Sequence, residues 1–463
     1  MRKRSRTVPA ALACLLILSA CTGGSGEAGA PTSPGVVAAQ SSSAGTASTA
    51  TSSGADPSGT DPSGTDPSRT DPPGTTGPSG PTSASSAAGP TTRNPAGTSR
   101  TPSPATSAPA PRPTPADGLP GMPPVLDPKD VYAADGPGMV SPAIANDLAY
   151  VYVPNSQSNT VSVIDQHSMK VVATFPGGDE PQHVVPSYDL KTLYVTADEP
   201  GSGSLIPIDP ATGKPGGKIN VDDVYNMYFT PDGTYAIAVQ EAYSRLAFYD
   251  PHTWKLHDIL NLPLCPGIDH MDFTADGKRL LASCEFANRM VAVDVATHTL
   301  VHSTDLHQVP DGKPQDVKLS PDGSVFFVAD MMSDGIYTID AKTFEVKGFQ
   351  RTGKGAHGLY VARDSRRMFI TNRDEGSVTV FDLPTRKITA TWALPGGGSP
   401  DMGNISADGA VLWLSGRHDS VVYAISTVDG HLLAKIPVGD GPHGLAVWPL
   451  PGRYSLGHTG ILR

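Results

Sequence analysis

Side chains able to bind metals and pair with anions recur along this chain at nearly even spacing. His183, Asn226, His270, Asp316, His357, Asp401 and His443 follow one another at intervals of 41–46 residues, each just ahead of an apolar run. Imidazoles and carboxylates brought to one place could hold a divalent transition metal. His183, His357, Asp401 and His443 form the best candidate set for that, because a closed ring puts them on consecutive repeats. The same groups could contact a ligand directly, or bond to loop backbone and lock one repeat to the next. A second set sits one apolar run later in each repeat: Glu199, Glu241, Glu285, Met331, Arg373 and Arg417. Acids on three neighbouring repeats and arginines on two others suit a ligand of both signs, or an anion gripped by Arg373 and Arg417. Ordinary surface charge gives the same pattern.

These residues need a scaffold that brings distant repeats to one place. Each repeat reads as a glycine turn, a polar residue, an apolar strand, a tight turn, a second strand, a loop and a third strand. Gly353–Asp382 shows all of it, with His357 as the polar residue. Turns such as Pro231-Asp232-Gly233, Ala275-Asp276-Gly277, Pro321-Asp322-Gly323 and Ala407-Asp408-Gly409 recur at the same place. Asp-Gly supplies the positive φ that such a hairpin needs. A period of this size built from short strands predicts an all-β propeller, one four-stranded sheet per repeat. Six complete repeats open at His183, Asn226, His270, Asp316, His357 and Asp401. Before them lie three further strands, Leu148–Val153, Thr160–Ile164 and Val171–Phe175. The missing fourth comes at the other end of the sequence, in His443–Trp448. Seven blades closed by a one-plus-three clasp follow, with no exposed sheet edge between first and last. The folded part spans about Val125 to Trp448 on this reading, within a propeller domain of residues 125–463, and no amphipathic helix is expected.

The strands Leu193-Tyr194-Val195-Thr196, Phe369-Ile370-Thr371-Asn372 and Val161-Ser162-Val163-Ile164-Asp165 resemble the Tyr-Val-Thr-Asn (YVTN) β-propeller repeat family, which includes YncE-like exported proteins. The resemblance covers nearly all of the chain after Val125 and implies the propeller fold. It does not select a function. The family holds surface proteins, proteins linked to nucleic-acid binding and relatives of the haem-binding propeller of cytochrome-type nitrite reductases.

The N-terminal residues read as an export signal, residues 1–20. Arg2, Lys3, Arg4 and Arg6 precede an apolar core, Val8 to Leu18, that is too short for a permanent span. Leu18-Ser19-Ala20-Cys21 resembles the lipobox of bacterial lipoproteins, which implies diacylglycerol on Cys21 (and a palmitate-type acyl chain) and attachment to the cell membrane on its extracytoplasmic face. Residues 21–124 are rich in Ser, Thr, Pro and Gly and include a repeated pentapeptide starting at Asp56, Asp61, Asp66 and Asp71. So little apolar surface cannot offset the entropy of ordering, and a disordered stalk is expected, with a reach of roughly 55 Å as a coil.

The net charge is −11, and the four basic residues of the signal leave with it, so nucleic acid is not an expected partner. Of the four cysteines, Cys265 and Cys284 remain for the folded domain. A disulfide is expected in an oxidising compartment, the rival being a Cys/His metal site with His270. No Cys-x-x-Cys-His, P-loop, His-Glu-x-x-His or Gly-x-Ser-x-Gly motif occurs.

The expected protein is a monomeric, lipid-anchored binding or interaction scaffold at the cell envelope. Its partner is a cell-envelope protein, a glycan or a small molecule, and no cofactor is required. The alternative is a redox protein or enzyme with a metal or haem-like cofactor over the histidine mouth. Replacing Cys21 with Ala should release the protein from membranes; a Cys21→Ala chain that still fractionates with membranes as wild type does contradicts the lipid anchor.

Overall fold

The computed structural model describes residues 118–458 and 460–463. The signal, Cys21 and the Ser/Thr/Pro-rich stretch up to residue 117 lie outside the described residues. Within them the chain forms seven antiparallel sheets, each of four strands apart from one with a divided outer strand. One short 3-10 turn, Glu285–Ala287, interrupts the β-structure.

Each complete blade starts from a buried innermost strand. These are Pro181–Pro186, Asn226–Phe229, Ile268–Phe273, Pro314–Leu319, Ala356–Val361 and Pro400–Ile405 for blades 2 to 7. Outer strands such as Thr299–Asp305 face solvent. The turn after each innermost strand follows the sequence prediction: Gly233, Gly277, Gly323 and Gly409 have φ between 68° and 79°. A hydroxyl two residues ahead of the Asp tightens the turn, as Thr230, Thr274 and Ser320 each donate to their Asp at 2.6 Å.

Blade 1 is closed by the two ends of the domain. Ala446–Trp448 pairs with Tyr150–Asn155, in the register Tyr150↔Trp448, Val151↔Val447 and Tyr152↔Ala446. Thr160–Asp165 and Lys170–Pro176 complete the sheet. The clasp is the one expected, although the first strand begins two residues later than the sequence suggested. The closing strand is also shorter: His443 donates its N–H to Pro154 of blade 1, but Gly444 donates to Gln182 of blade 2 and breaks the ladder.

Two segments cover the face that carries the Asp-Gly turns. On the N-terminal side, Leu119, Val131 and Gly138 donate to Asp276, Pro321 and Ala407, the turns of blades 4, 5 and 7. Asp135 pairs with Arg363 at 2.5 Å. On the C-terminal side, the fold does not stop at Trp448 as the sequence suggested. Residues 449–458 and 460–463 fold back, bridged between Ser455 and Leu462, with Tyr454, Leu456, Ile461 and Leu462 buried. Arg463 reaches Asp272 at 2.8 Å and lies over the Tyr132 ring. From this segment Gly457 and His458 enter the channel: Phe229 donates to Leu456, and His458 donates to Met227 at 2.8 Å. Gly457 has φ of 104°, and a Cβ there would collide with the Met227 carbonyl.

Cys265 and Cys284 are disulfide-bonded, with Cα atoms 4.8 Å apart and a sequence separation of 19. That removes the Cys/His metal site from consideration. The bridge ties the loop entering blade 4 to the end of its second strand, and closing a loop of this length stabilises by roughly 3 kcal/mol in the chain-entropy model. Thiol titration of the unfolded, unreduced protein lacking its N-terminal signal should find neither thiol. Replacing both by Ser should lower stability by about that amount in denaturant unfolding; two titratable thiols, or no loss, would count against the bridge.

Candidate functional site

The polar ring read from the sequence is two rings, one residue apart. Five of the innermost strands align at matching positions, with Pro181, Ile268, Pro314, Ala356 and Pro400 leading. Second place is then held by Gln182, Asp269, Gln315, His357 and Asp401. Third place is held by His183, His270, Asp316, Gly358 and Met402. A bulge falls at this point in each of the five strands, where one extra residue re-aims the side chains. In four blades a hydroxyl of the second strand accepts the third residue's N–H: Thr196 from His183, Ser283 from His270, Thr371 from Gly358 and Ser415 from Met402. The Thr of the Tyr-Val-Thr-Asn motif therefore holds the bulge that sets which residue faces which level. Tyr225 and His443 belong with the second-place ring, Asn226 and Gly444 with the third.

Only the second-place ring reaches the mouth. Gln182, Tyr225, Gln315, His357 and His443 line a cavity of ≈ 380 Å³ there. His183, Asn226, His270 and Asp316 lie deeper and are fully buried. Neighbouring blades approach closely within this deeper level at Gly444, where any Cβ would strike the His183 ring.

The mouth has an acidic side and a basic side. Glu180, Asp198, Asp223, Glu241 and Glu285 line one part of the cavity, and Arg373 and Arg417 line another. Glu241, Glu285, Arg373 and Arg417 are thus where the sequence placed them. Glu199 is replaced by its neighbour Asp198, and Met331 does not line the cavity. Burial and then the neighbouring acids raise the acidic side: burial followed by Glu285 and Asp198 pushes Glu241 up to about 8. Burial followed by Glu180 pushes Asp198 up to about 8, and burial pushes Asp223 up to about 6. Asp269, buried just behind Glu285 and Glu241, is raised well above the carboxylate range, first by burial and then by those two charges.

The basic side is organised by Asp401. One carboxylate oxygen lies 3.2 Å from His357 Nδ1 and 3.3 Å from Arg373 Nη1, and the other lies 3.6 Å from His443 Nε2. Arg417 donates to Ser156 Oγ at 3.1 Å and Gly441 O at 3.2 Å. His357 and His443 are both held neutral, first by burial and then by the guanidinium charges beside them. The candidate metal set is thereby divided. His357, Asp401 and His443 stay together, whereas His183 belongs to a second cluster with His270 and His458.

The comparisons with known proteins agree with this architecture. Residues 347–452 match the YNCE-like beta-propeller family. The described domain is a seven-bladed β-propeller, YncE-like over that segment. No curated protein matches the chain. Among solved structures, the periplasmic gluconolactonase of Pseudomonas aeruginosa is 16% identical with a TM-score of 0.54, covering 66% of this chain and 100% of that one. A functionally unknown protein from Desulfotomaculum acetoxidans is 14% identical with a TM-score of 0.53, over 64% and 98% of the two chains. At such identities the likeness shows the fold alone.

Several residues of the mouth and of the level beneath it escaped the sequence pattern. Gln182, Tyr225, Asp269 and Gln315 sit one position before the residues singled out, and His458 lies outside the repeats altogether. The alternating apolar residues Tyr454, Leu456, Ile461 and Leu462 around it were the available sign that the tail packs.

The buried titrating groups act in opposite directions on stability. His183, pushed down to about 4 by burial, binds its proton only in the unfolded chain between that value and about 6.5. Stability therefore rises with pH across that window. Glu241 and Asp198 are protonated in the folded state up to about 8 but not in the unfolded one, so stability falls as pH climbs from about 4.5 to 8. Above about pH 6.5 the carboxylates act alone, and the melting temperature should decline from there toward pH 8. A Glu241→Gln variant should show a flatter alkaline limb; an unchanged limb contradicts the assignment.

Proposed function

We propose that this YncE-like propeller is a binding protein of the cell envelope, exported and held to the membrane through Cys21, whose mouth takes a small polar ligand bearing both an ammonium-type cation and a carboxylate or phosphate-type anion. The observation that carries this reading is the pairing of five acids with two arginines around one cavity of ≈ 380 Å³. A cation restores the ionised form of Glu241 and Asp198, which burial and mutual repulsion otherwise disfavour. An anion meets Arg373 and Arg417, whose charge does not vary with pH. Leu119, near the start of the described residues, lies on the turn face, where it donates to Asp276. The neutral, charge-flanked His357 is a weak proton acceptor, which favours binding over acid–base chemistry here.

Thermal-shift and calorimetric titrations with ε-aminocaproate, caproate and hexylamine test the reading. The probe with both charges should stabilise most. Arg373→Ala with Arg417→Ala should weaken caproate about tenfold or more while sparing hexylamine, and Glu241→Gln with Asp198→Asn should do the reverse. Equal responses to all three probes, or intact responses in both pairs of folded variants, would place the site elsewhere and leave the ring structural.

A further inference from the structure

Beneath the mouth lies a second cluster, built from two blades and the C-terminal segment. His183, His270 and His458 are fully buried. One ring nitrogen from each lies within 4.8 Å of those of the other two. Their rings are close, with centroids 4.7 Å apart for His270 and His458 and 5.3 Å for His183 and His458. Every Nδ1 is engaged: His183 donates to Tyr225 O at 2.9 Å, and the other two each sit 3.0 Å from Asn226 Nδ2. Every Nε2 lacks a hydrogen-bond partner. Two buried carboxylates stand beside them, Asp269 at 3.1 Å from His270 Nε2 and Asp316 at 3.6 Å from His458 Nε2, neither hydrogen-bonded to its imidazole.

We infer that His183, His270 and His458 form a binding site for a divalent transition metal such as Zn²⁺, with Asp269 or Asp316 as the nearest carboxylate donor. Three buried polar nitrogens without partners are costly to leave unmade, and one ion satisfies all three. Burial keeps the imidazoles neutral, as ligands must be. The mouth cluster of His357, Asp401 and His443 is less suited, because Arg373 already occupies Asp401 and Arg417 lies close by. Of the deeper cluster, His270 and His458 feel Lys318 and His183 feels Arg417, with the carboxylates Asp269 and Asp316 beside them. The ion would tie the C-terminal segment to blades 2 and 4.

Asn226 tunes this site. Met227 N–H donates to Asn226 Oδ1 at 2.8 Å and so turns the amide nitrogen toward both imidazoles. His270 and His458 then accept at Nδ1 and carry their protons on Nε2. A metal at Nε2 requires those two protons to move to Nδ1, with none released, and each imidazole then donates from Nδ1, which an amide oxygen or carboxylate accepts better. Asp316 shows that a carboxylate fits the equivalent position two blades on: it accepts the next residue's N–H at 2.9 Å through one oxygen and Leu359 N–H at 2.9 Å through the other.

The test uses the purified chain, stripped with chelator and titrated with Zn²⁺ and Co²⁺ near pH 7. Elemental analysis should find one Zn²⁺ per chain, and His458→Ala should lose it. The pair His357→Ala with His443→Ala should keep it. Asn226→Asp, which leaves all three imidazoles in place, should bind roughly 10–100-fold more tightly. Should His458→Ala fail to fold, Asn226→Asp decides alone. The site is overturned if wild type binds no Zn²⁺, if folded His458→Ala keeps the ion, or if Asn226→Asp binds no more tightly. Loss of the ion in only the mouth pair would move the metal to the upper cluster.

Discussion

The innermost strand of each blade pairs on one side only, and its other edge points backbone donors at the channel. The fourth residue of these strands shows how the need is met. Val184 donates to Gly444 O, Met271 to Tyr228 Oη, Leu359 to Asp316 Oδ2 and Gly403 to Tyr360 Oη, each from one blade to its neighbour. Met227 and Val317 instead donate to the side chains just before them, Asn226 and Asp316. Polar residues near the axis are therefore required by the backbone before any ligand is considered. What such residues have left over, after serving the backbone, is what remains for chemistry.

That constraint explains how much of the molecule was legible in the sequence. The period and the Asp-Gly turns are local, so blade number, hairpins and the clasp between Ala446 and Tyr150 could be read directly. The Cys265–Cys284 pairing followed from the antiparallel geometry of one hairpin. The ring was harder. Aligning by polar character matched His183 with His357, yet these occupy successive positions of the strand, because the bulge is held by Thr196 under His183 itself and by Thr371 under Gly358. Spacing gives the angular order around a channel and says little about depth. His458 belongs to no repeat, and only long-range packing of the C-terminal segment brings it to Asn226.

The same separation by depth sorts the charges. Arg373 and Arg417 stay at the mouth, where Arg373 meets Asp401 and Arg417 meets the Ser156 loop. Below them the carboxylates Asp269 and Asp316 are enclosed with neutral imidazoles. The acidic side of the mouth is under electrostatic tension that an incoming positive group relieves. The two levels thus favour different partners although one residue of strand separates them.

Blade 1 also sets the order in which the domain can be completed. Ser156 bonds Gly441 across 285 residues of sequence, and the strand Ala446–Trp448 is among the last made. A chain synthesised from its N terminus can finish blades 2 to 7 from neighbouring segments, and the Cys265–Cys284 bridge can form within blade 4 alone. Until Ala446–Trp448 emerges, Tyr150–Asn155 keeps an open inner edge able to pair with any other strand. Closure is therefore the slow, non-local step, and the interval before it is when the nascent chain is most exposed to mispairing.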